Sequence, residues 1–369
     1  MIRKNVLKEA WKDVDFSEFW NDSLERPTEQ DKATGAVCSC NIPNLDTDKR
    51  VVVNGFGEGM NVVVPPNTQN LKPIQIQSVV GMGRKALVEL HNVIEVGENA
   101  HVQIIHCDDT VGEWRSLSNN TTEIHIGENA HVEYYKLQNL NNQSGLINQT
   151  FVTMGAHARL TMNCITLNGG HICNHAEVRM LGEGCEVRAD GLYLLDGEQR
   201  CDNYIFVEHA HPHCTSNELY KGIVDDQARA TFNGHVLVQD GALKTEAYQT
   251  NRNILMTDKA HVQTKPFLEI YNDDVKCSHG STIGQLDELA LFYIRSRGIS
   301  ERSARTLLLY AFCDEVLQKI EIPALRDKLS DMVKARLHGE LTACADCALN
   351  CNTPCGCPDA TFHIDPLKL

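Results

Sequence analysis

The sequence predicts a mainly β protein: a right-handed parallel β-helix (a β-solenoid) with an N-terminal helical segment and a C-terminal helical domain. From Val51 onward, short β-branched runs alternate with turn residues about every eight to twelve positions, which is typical of all-β architectures. The hexapeptide GENAHV occurs at Gly97–Val102 and again at Gly127–Val132, and repetition at roughly thirty residues indicates a solenoid or a propeller. Propeller-blade signatures and a six-residue period are both missing, so a right-handed β-helix fits best.

The repeat continues in weaker copies. GAHARL begins at Gly155, GEGCEV at Gly182, DDQARA at Asp225 and TDKAHV at Thr257, with one longer gap between Gly182 and Asp225. Each copy places a tight turn before a small residue and an apolar residue two positions later. That order suits a turn leading into a strand whose alternate residues face inward. Stacked coils leave two open ends, so the prediction includes caps.

Changes in texture divide the chain into four parts: an N-terminal helical segment and linker (residues 1–48), the β-helix core (49–280), a helical domain (281–340) and a cysteine-rich tail (341–369). In the first part, Asn5–Arg26 is predicted to form short helices. Leu7, Trp11 and Phe16 give it a weak apolar stripe, and Pro27 ends it.

Three amphipathic helices are predicted after the β region. Asp287 is a plausible N-cap of the first, and Gly298 lies past its end. Ser300 caps the second, Pro323 occupies the first turn of the third, and Gly339 ends it. These helices can cap the end of the solenoid, and they also offer a docking surface for a partner.

Composition excludes several functional classes. The formal charge is −15 and no basic run occurs, which argues against nucleic-acid and anionic-membrane surfaces. The N-terminus has no apolar signal region, and no stretch of eighteen apolar residues predicts a membrane span. Fifteen cysteines, an odd number, indicate a reducing compartment rather than a disulfide framework, so we expect a cytoplasmic protein.

Cys277 and His279 form a Cys-x-His pair in a polar loop where the β region meets the helices. On a strand, residues at this spacing point to the same face. Both are natural ligands of thiophilic and borderline metals, but zinc needs four ligands, or three and a water. The other ligands would come from elsewhere in the fold or from a second subunit.

A second candidate is the run that contains His209, His211, His213 and Cys214. Histidines that alternate on a strand share one face and predict a metal site. Pro212 interrupts the alternation, so the run is equally consistent with a polar turn whose imidazoles are hydrogen bonded.

The C-terminal tail holds a third set of candidate metal ligands, all of them thiols: Cys344, Cys347, Cys351, Cys355 and Cys357. Their density suits zinc or an iron–sulfur cluster, but their spacing matches neither a two-CxxC zinc ribbon nor a ferredoxin. An exposed, redox-sensitive tail is the alternative. Phosphate-loop, GxSxG and HExxH motifs are missing, so the sequence predicts neither an ATPase nor a hydrolase of these types.

Several long stretches resemble the SufB/SufD family, the scaffold subunits of the SUF iron–sulfur cluster assembly machinery. The resemblance covers most of the chain and is densest in Tyr220–Val238, Lys244–Ala260 and Lys265–Ser300. His209–Gly222 is similar to the family's H-x-x-P-H-x-x-S-x-x-x-Y-K-G stretch, which favours a structural role for that run. The unit KCSHG at Lys276–Gly280 is most like the SufD branch. The tail departs from the usual family end.

The resemblance implies a non-catalytic subunit that pairs with SufB through the β-helix ends and binds the ATPase SufC through its C-terminal helices. It implies that His279, with Cys277 beside it, helps to hold a nascent iron–sulfur cluster or its iron at the subunit interface. This cargo is transient, and no tightly bound cofactor is expected in the isolated chain. Contacts with SufC would fall on the helices, with these candidates: Leu291, Phe292, Arg295, Arg297, Leu308 and Phe312.

Two other hypotheses remain open at this point. One is a standalone metalloenzyme that uses the His209–His213 run. The other is a purely architectural partner of SufB that contributes no cluster ligand. In isolation, the chain is also expected to form a homodimer, because an unpaired sheet edge seeks a partner.

Overall fold

The structure is a computed structural model that describes residues 24–33, 37–42, 51–54, 59–69 and 72–339. A short helix, α1 (Glu29–Ala33), precedes the strands. The described strands are β1 (Val37–Ile42), β2 (Val52–Asn54), β3 (Asn61–Val64), β4 (Ile74–Val80), β5 (Ala86–Val96), β6 (His101–Thr110), β7 (Ser116–Ile126), β8 (His131–Asn139), β9 (Gly145–Met154), β10 (Arg159–Asn168), β11 (His171–Met180), β12 (Glu186–Leu195), β13 (Arg200–His209), β14 (Thr215–Val224), β15 (Arg229–Val238), β16 (Thr245–Leu255), β17 (His261–Ile270) and β18 (Val275–Gly284). Three helices follow: α2 (Glu288–Arg295), α3 (Glu301–Leu317) and α4 (Pro323–His338).

The strands form two nine-stranded sheets that face each other across the core. The even sheet runs from β4 to β18 through the even-numbered strands, and the odd sheet runs from β3 to β17 through the odd-numbered ones. Pairing is parallel except at the first strand of each sheet: β1 is antiparallel to β4 in the even sheet, and β2 is antiparallel to β3 in the odd sheet. His131 pairs with Arg159, 28 positions on, and Thr215 pairs with Glu246, 31 positions on. The predicted β-solenoid with a period near thirty is therefore confirmed.

The corners of the coils explain the sequence repeat. Copies at Gly97, Gly127, Gly155 and Gly182 precede strands of the even sheet, whereas those at Asp225 and Thr257 precede strands of the odd sheet. The longer gap between Gly182 and Asp225 arises because the sequence repeat combines two different corners of the coil, one before the even-sheet strands and one before the odd-sheet strands. The missing even-sheet copy is the turn that contains His213, immediately before β14.

One backbone conformation marks the even-sheet corner. One or two positions before each even-sheet strand from β6 to β16, a residue has a left-handed φ of 55–67°, and it is usually a residue type that tolerates this region. These residues are Asn99, Asn129, His157, Gly184, His213 and Lys244. The next residue is small and buried in successive coils: Ala100, Ala130, Ala158, Cys185 and Cys214. Cys214 thus fills an alanine position in a packed column.

The helices begin and end where the sequence predicts. The Asp287 carboxylate accepts hydrogen bonds from the backbone N–H groups of Leu289 and Ala290, and Ser300 Oγ accepts one from Ser303. Pro323 is the first residue of α4, and Gly339 ends it with a left-handed φ of 76°. None of the described helices is long and apolar enough to cross a membrane.

The helices do not cap the solenoid. Instead, α3 and α4 pack on the outer face of the even sheet, in one apolar cluster that includes Leu309, Val316, Leu329 and Val333 from the helices and Tyr135, Leu137, Ile165 and Leu192 from the strands. Arg336 holds α4 to the sheet through a bidentate ion pair with Asp196, at 2.6 and 2.8 Å. The prediction of an end cap is therefore wrong for the described helices, because an amphipathic stripe does not specify which apolar surface it will cover.

Polar side chains are buried among the apolar residues inside the solenoid. Lys136 Nζ lies 2.8 Å from Asp108 Oδ2, with both side chains almost fully buried. Glu218 is also buried, and the Gln249 amide donates to its Oε2 at 2.7 Å. Burial raises the pKa of Glu218 to about 8, with the hydrogen bond from Gln249 opposing the shift. Its carboxyl group is thus predominantly protonated at neutral pH.

The His213 turn gives a first prediction. His213→Asn should leave the free energy of unfolding nearly unchanged, because asparagine occupies the equivalent corner at Asn99 and Asn129. His213→Val should lower it by about 1–3 kcal/mol, because a β-branched residue is strained at positive φ. Urea denaturation with and without a chelator measures both effects. Metal-dependent losses in both variants would instead assign His213 as a ligand.

Glu218 gives a second prediction. Its pKa rises from an ordinary value of 4.5 to about 8 on folding, so the folded state binds the extra proton between these values. The contribution of Glu218 to stability is therefore greatest below pH 4.5 and is lost as the pH rises to 8, by up to about 1.4 kcal/mol per pH unit. Glu218→Gln should flatten this dependence in urea denaturation at pH 5, 6.5 and 8. The exposed Glu198→Gln is the control, and equal slopes in wild type and Glu218→Gln would contradict the prediction.

Candidate functional site

Cys277 and His279 lie on β18, the terminal strand of the even sheet. Among the described strands, β18 pairs only with β16, in a register that joins Ala247 to Cys277 and Gln249 to His279. Stacked residues in a parallel sheet point the same way, and Ala247 and Gln249 face the interior. Cys277 and His279 therefore continue the inward-facing columns into the last coil, on one face, as their spacing predicts.

The two side chains have different surroundings. Cys277 is half-buried and packs against the apolar cluster of Val236, Val238 and Ala247. Desolvation raises the pKa of its thiol, so the thiol stays protonated at neutral pH until a metal or a base displaces the proton. His279 is exposed and follows Gln249 in the interior column.

This pair cannot complete a metal site by itself. A thiolate and an imidazole supply two of the four ligands that a tetrahedral ion requires. Within the part of the chain that the structure describes, the three-residue group whose ligand atoms lie within 4.8 Å of one another is elsewhere, at His101, His131 and Glu133. Further ligands for an ion at Cys277 and His279 must therefore come from another molecule or from outside the described residues.

The end of the solenoid around this pair is apolar as well as open. β17 and β18 are the final strands of their sheets, and each has one edge without a partner among the described strands. Several large apolar side chains of the last coils are exposed, among them Tyr248, Phe267, Ile270, Tyr271 and Ile283. Unpaired sheet edges beside exposed apolar side chains are features of association surfaces.

The six predicted docking residues fall into three groups. Phe292, Arg295 and Arg297 are exposed on α2 or just after it, and Phe292 is 72% exposed. Leu308 and Phe312 are half-buried against the even sheet, where Lys221 Nζ lies 4.4 Å from the centre of the Phe312 ring. Leu291 is buried and cannot meet a partner without rearrangement. The exposed apolar residues of the helices that the prediction missed include Leu289, at 81%, Tyr293 and Leu307.

The His209–Cys214 run does not gather into a metal site. His209 is buried on β13, and its Nε2 lies 2.9 Å from Ser216 Oγ. Burial lowers the pKa of His209 to about 3, so its ring is neutral. His211 and His213 are exposed at the corner. The run is a turn with one hydrogen-bonded imidazole, which agrees with the structural reading of the sequence.

Two sets of predictions fall outside what the structure describes. The tail ligands Cys344, Cys347, Cys351, Cys355 and Cys357 lie beyond residue 339, and most of the N-terminal helical segment precedes residue 24. Their assignments remain predictions.

Comparison with known proteins agrees with this architecture. A family model described as "SUF system FeS cluster assembly, SufBD core domain" matches residues 79–312. An iron–sulfur cluster assembly SufBD family protein of Synechocystis is 33% identical over 291 residues, which cover 76% of this chain and 64% of that protein. SufD of Escherichia coli is 32% identical over 246 residues, 67% of this chain and 58% of SufD.

A chloroplast protein of Arabidopsis thaliana named ABCI7 is 33% identical over 221 residues, 60% of this chain and 46% of that protein. The chain thus matches less than two thirds of the length of each of these relatives. The family match nevertheless covers well over half of the chain, including most of the solenoid, α2 and most of α3. The protein therefore belongs to the SufB/SufD family of iron–sulfur cluster assembly proteins and is most like its SufD members.

Proposed function

We propose that this protein is a non-catalytic, SufD-like scaffold subunit of a cytoplasmic iron–sulfur cluster assembly complex. The observation that carries the proposal is the open end of the solenoid, where Cys277 and His279 continue interior columns into a coil that the described residues leave uncovered. A nascent cluster or its iron is the cargo. It is held transiently and requires ligands from a second subunit.

The second subunit in this proposal is SufB-like. A partner with the same solenoid architecture would present a matching open end, so two ends could bury their apolar residues and unpaired strand edges against each other. Its own side chains would complete the ligand set that Cys277 and His279 begin. Without that partner, the same surface favours a homodimer.

The third component is a SufC-like ATPase, which we place on α2. Leu289, Phe292 and Arg295 are exposed there and supply apolar contacts and positive charge, the combination enriched in interface hot spots. The neighbouring helices are fixed to the even sheet, since Lys221 pairs with Glu315 of α3 and Arg336 with Asp196. A rigid-body displacement of the helices by the ATPase would therefore be transmitted to the solenoid and its open end.

Catalysis by this chain is not part of the proposal. No phosphate-binding loop occurs in the sequence, so ATP hydrolysis is assigned to the partner. The metalloenzyme alternative depended on the His209–His213 run, which the geometry of His209 and Ser216 explains as a turn. The architectural alternative, in which Cys277 and His279 bind nothing, is separated from our proposal by the following experiment.

The test of the ligand role is co-expression with SufB-like and SufC-like subunits, followed by anaerobic purification and assay of iron and sulfide. His279→Ala and Cys277→Ser should preserve the ternary complex but reduce the cluster content severalfold, because each removes a donor from the interface. His261→Ala is the matched control, since His261 is an exposed histidine at the start of β17 whose neighbour Val262 packs in the core. Normal cluster content in both site variants would leave the protein as architecture only.

The assignment of α2 predicts a separate defect. Phe292→Asp with Arg295→Glu should weaken capture of the ATPase by at least about tenfold, because an apolar hot spot typically contributes 2 kcal/mol or more. Pairing with the SufB-like subunit should be retained. Pull-down with each partner alone measures the two contacts separately. The control is Trp114→Ala, an exposed aromatic side chain between β6 and β7, and a defect equal to that of the control would reject α2 as the docking site.

A further inference from the structure

A second constellation of potential ligands lies on the outer face of the even sheet, five strands from the open end. His101 begins β6 and His131 begins β8, and the two residues are direct partners in the parallel register. Their rings stack with centroids 4.5 Å apart and planes 8° from parallel. Glu133 follows His131 by two residues on the same face, and its Oε1 lies 3.0 Å from His101 Nε2.

The carboxylate is held in place by neighbours. Gln103 Nε2 donates to both Glu133 oxygens at 3.0 Å, and Tyr135 Oη donates to Oε2 at 2.6 Å. Tyr135 Oη in turn accepts the backbone N–H of Glu321, in the loop between α3 and α4, at 3.1 Å. Hydrogen bonds to both oxygens therefore fix the carboxylate with Oε1 directed at His101. Such outer contacts orient the carboxylate ligands of metal sites.

The charge of the site is also unusual. The Glu133 side chain is 1% exposed, yet within the described residues it forms no ion pair with a lysine or an arginine. Burial alone would raise the pKa of Glu133, but hydrogen bonds from His101, Tyr135 and Gln103 lower it, so the carboxylate is ionised. Desolvation, and then the adjacent His101, lower the pKa of His131. The hydrogen bond to Glu133 raises the pKa of His101, so an ion bound at this site would have to displace a proton from between His101 and Glu133.

We propose that His101, His131 and Glu133 bind a divalent first-row transition metal ion. Two imidazoles and one carboxylate suit zinc and ferrous iron, which such sites bind through three protein ligands with the remaining positions open to water. The three ligand atoms lie within 4.8 Å of one another, and tetrahedral coordination at about 2.0–2.2 Å needs separations near 3.3 Å. His101 Nε2 and Glu133 Oε1 are 3.0 Å apart, close to this separation, and binding requires the stacked ring of His131 to rotate so that its nitrogen points at the same ion.

The fold offers an internal comparison for this assignment. His91 and Glu123 form a cross-strand pair on the odd sheet, also 3.0 Å apart, but both side chains are largely exposed. Among the described residues, that pair is not part of a compact three-ligand group. The site at Glu133 differs because it combines a buried carboxylate, a second imidazole in register and an outer layer of hydrogen bonds. The metal-binding inference is independent of the assembly role proposed above.

The test uses the full-length chain, stripped of metal with a chelator and titrated anaerobically with cobalt(II) alone. The five tail cysteines are replaced by serine, so that their thiolates do not contribute. We expect one cobalt ion per chain, with ligand-field absorption but no thiolate-to-cobalt charge-transfer band. His101→Ala and His131→Ala should each weaken binding by at least tenfold, and Tyr135→Phe by about tenfold through loss of carboxylate orientation. His91→Ala should bind as the parent does.

Two further measurements separate loss of metal binding from loss of folding in the variants. Circular dichroism melting identifies such variants, and X-ray absorption of the cobalt-loaded parent reports coordination directly. Two imidazoles with oxygen donors would support the site, whereas sulfur donors would overturn it. Cobalt affinity unchanged in both well-folded histidine variants would also overturn it. Competition with zinc, and with ferrous iron under argon, then ranks the two candidate ions.

Discussion

The in-register stacking of parallel coils is the constraint on which the rest of the structure depends. Each strand pairs with the strand of the same sheet one coil earlier, so each residue lies over a counterpart 27 to 31 positions before it along most of the stack. Stacked side chains share a face and a neighbourhood. As a result, a property needed at one corner recurs in successive coils, as the left-handed φ of Asn99, Asn129 and His213 illustrates.

A stack of parallel coils can always accept a further coil at its end, because each terminal strand keeps one unpaired edge. The ends of the stack are therefore the natural surfaces for association. The helices cover the flank of the even sheet and leave β17 and β18 uncovered within the described residues. The same columns that bury Ala247 and Gln249 then present Cys277 and His279 at the surface. In the proposed assembly, a partner of similar architecture would complete both the ligand pair and the last coil.

Much of this could be predicted from the sequence, for reasons that differ by element. The β-solenoid could be predicted because identical hexapeptides at Gly97 and Gly127 reveal its period. The helix ends could be predicted because Asp287, Ser300 and Gly339 act on residues next to them in the sequence. The placement of α3 and α4 was not accessible, since it depends on which outer face of the sheets is apolar.

The candidate sites divide in the same way. The shared face of Cys277 and His279 follows from strand periodicity, but the uncovered last coil does not. Conversely, the repeat already contained the signal for the second constellation, because both GENAHV copies carry their histidine at the same position. Once the period is read as stacking, His101 and His131 must be neighbours. In the sequence alone, the Asp225 copy also falls in the same series as the copies from Gly97 to Gly182. The two corners of a coil have similar turn residues, so the sequence repeat does not distinguish them without the geometry of the coil.

The regular spacing of the coils also fixes the distance between any two positions along the solenoid. His131 lies on β8 and His279 on β18, which are five steps apart in the even sheet. At 4.7–4.9 Å for each step, the two positions are separated by about 24 Å along the stack. No side chain spans that distance, so an ion at one position is not handed directly to the other. Any traffic between them must pass through solvent or a carrier, and adding or removing a coil would change the separation in increments of one strand spacing.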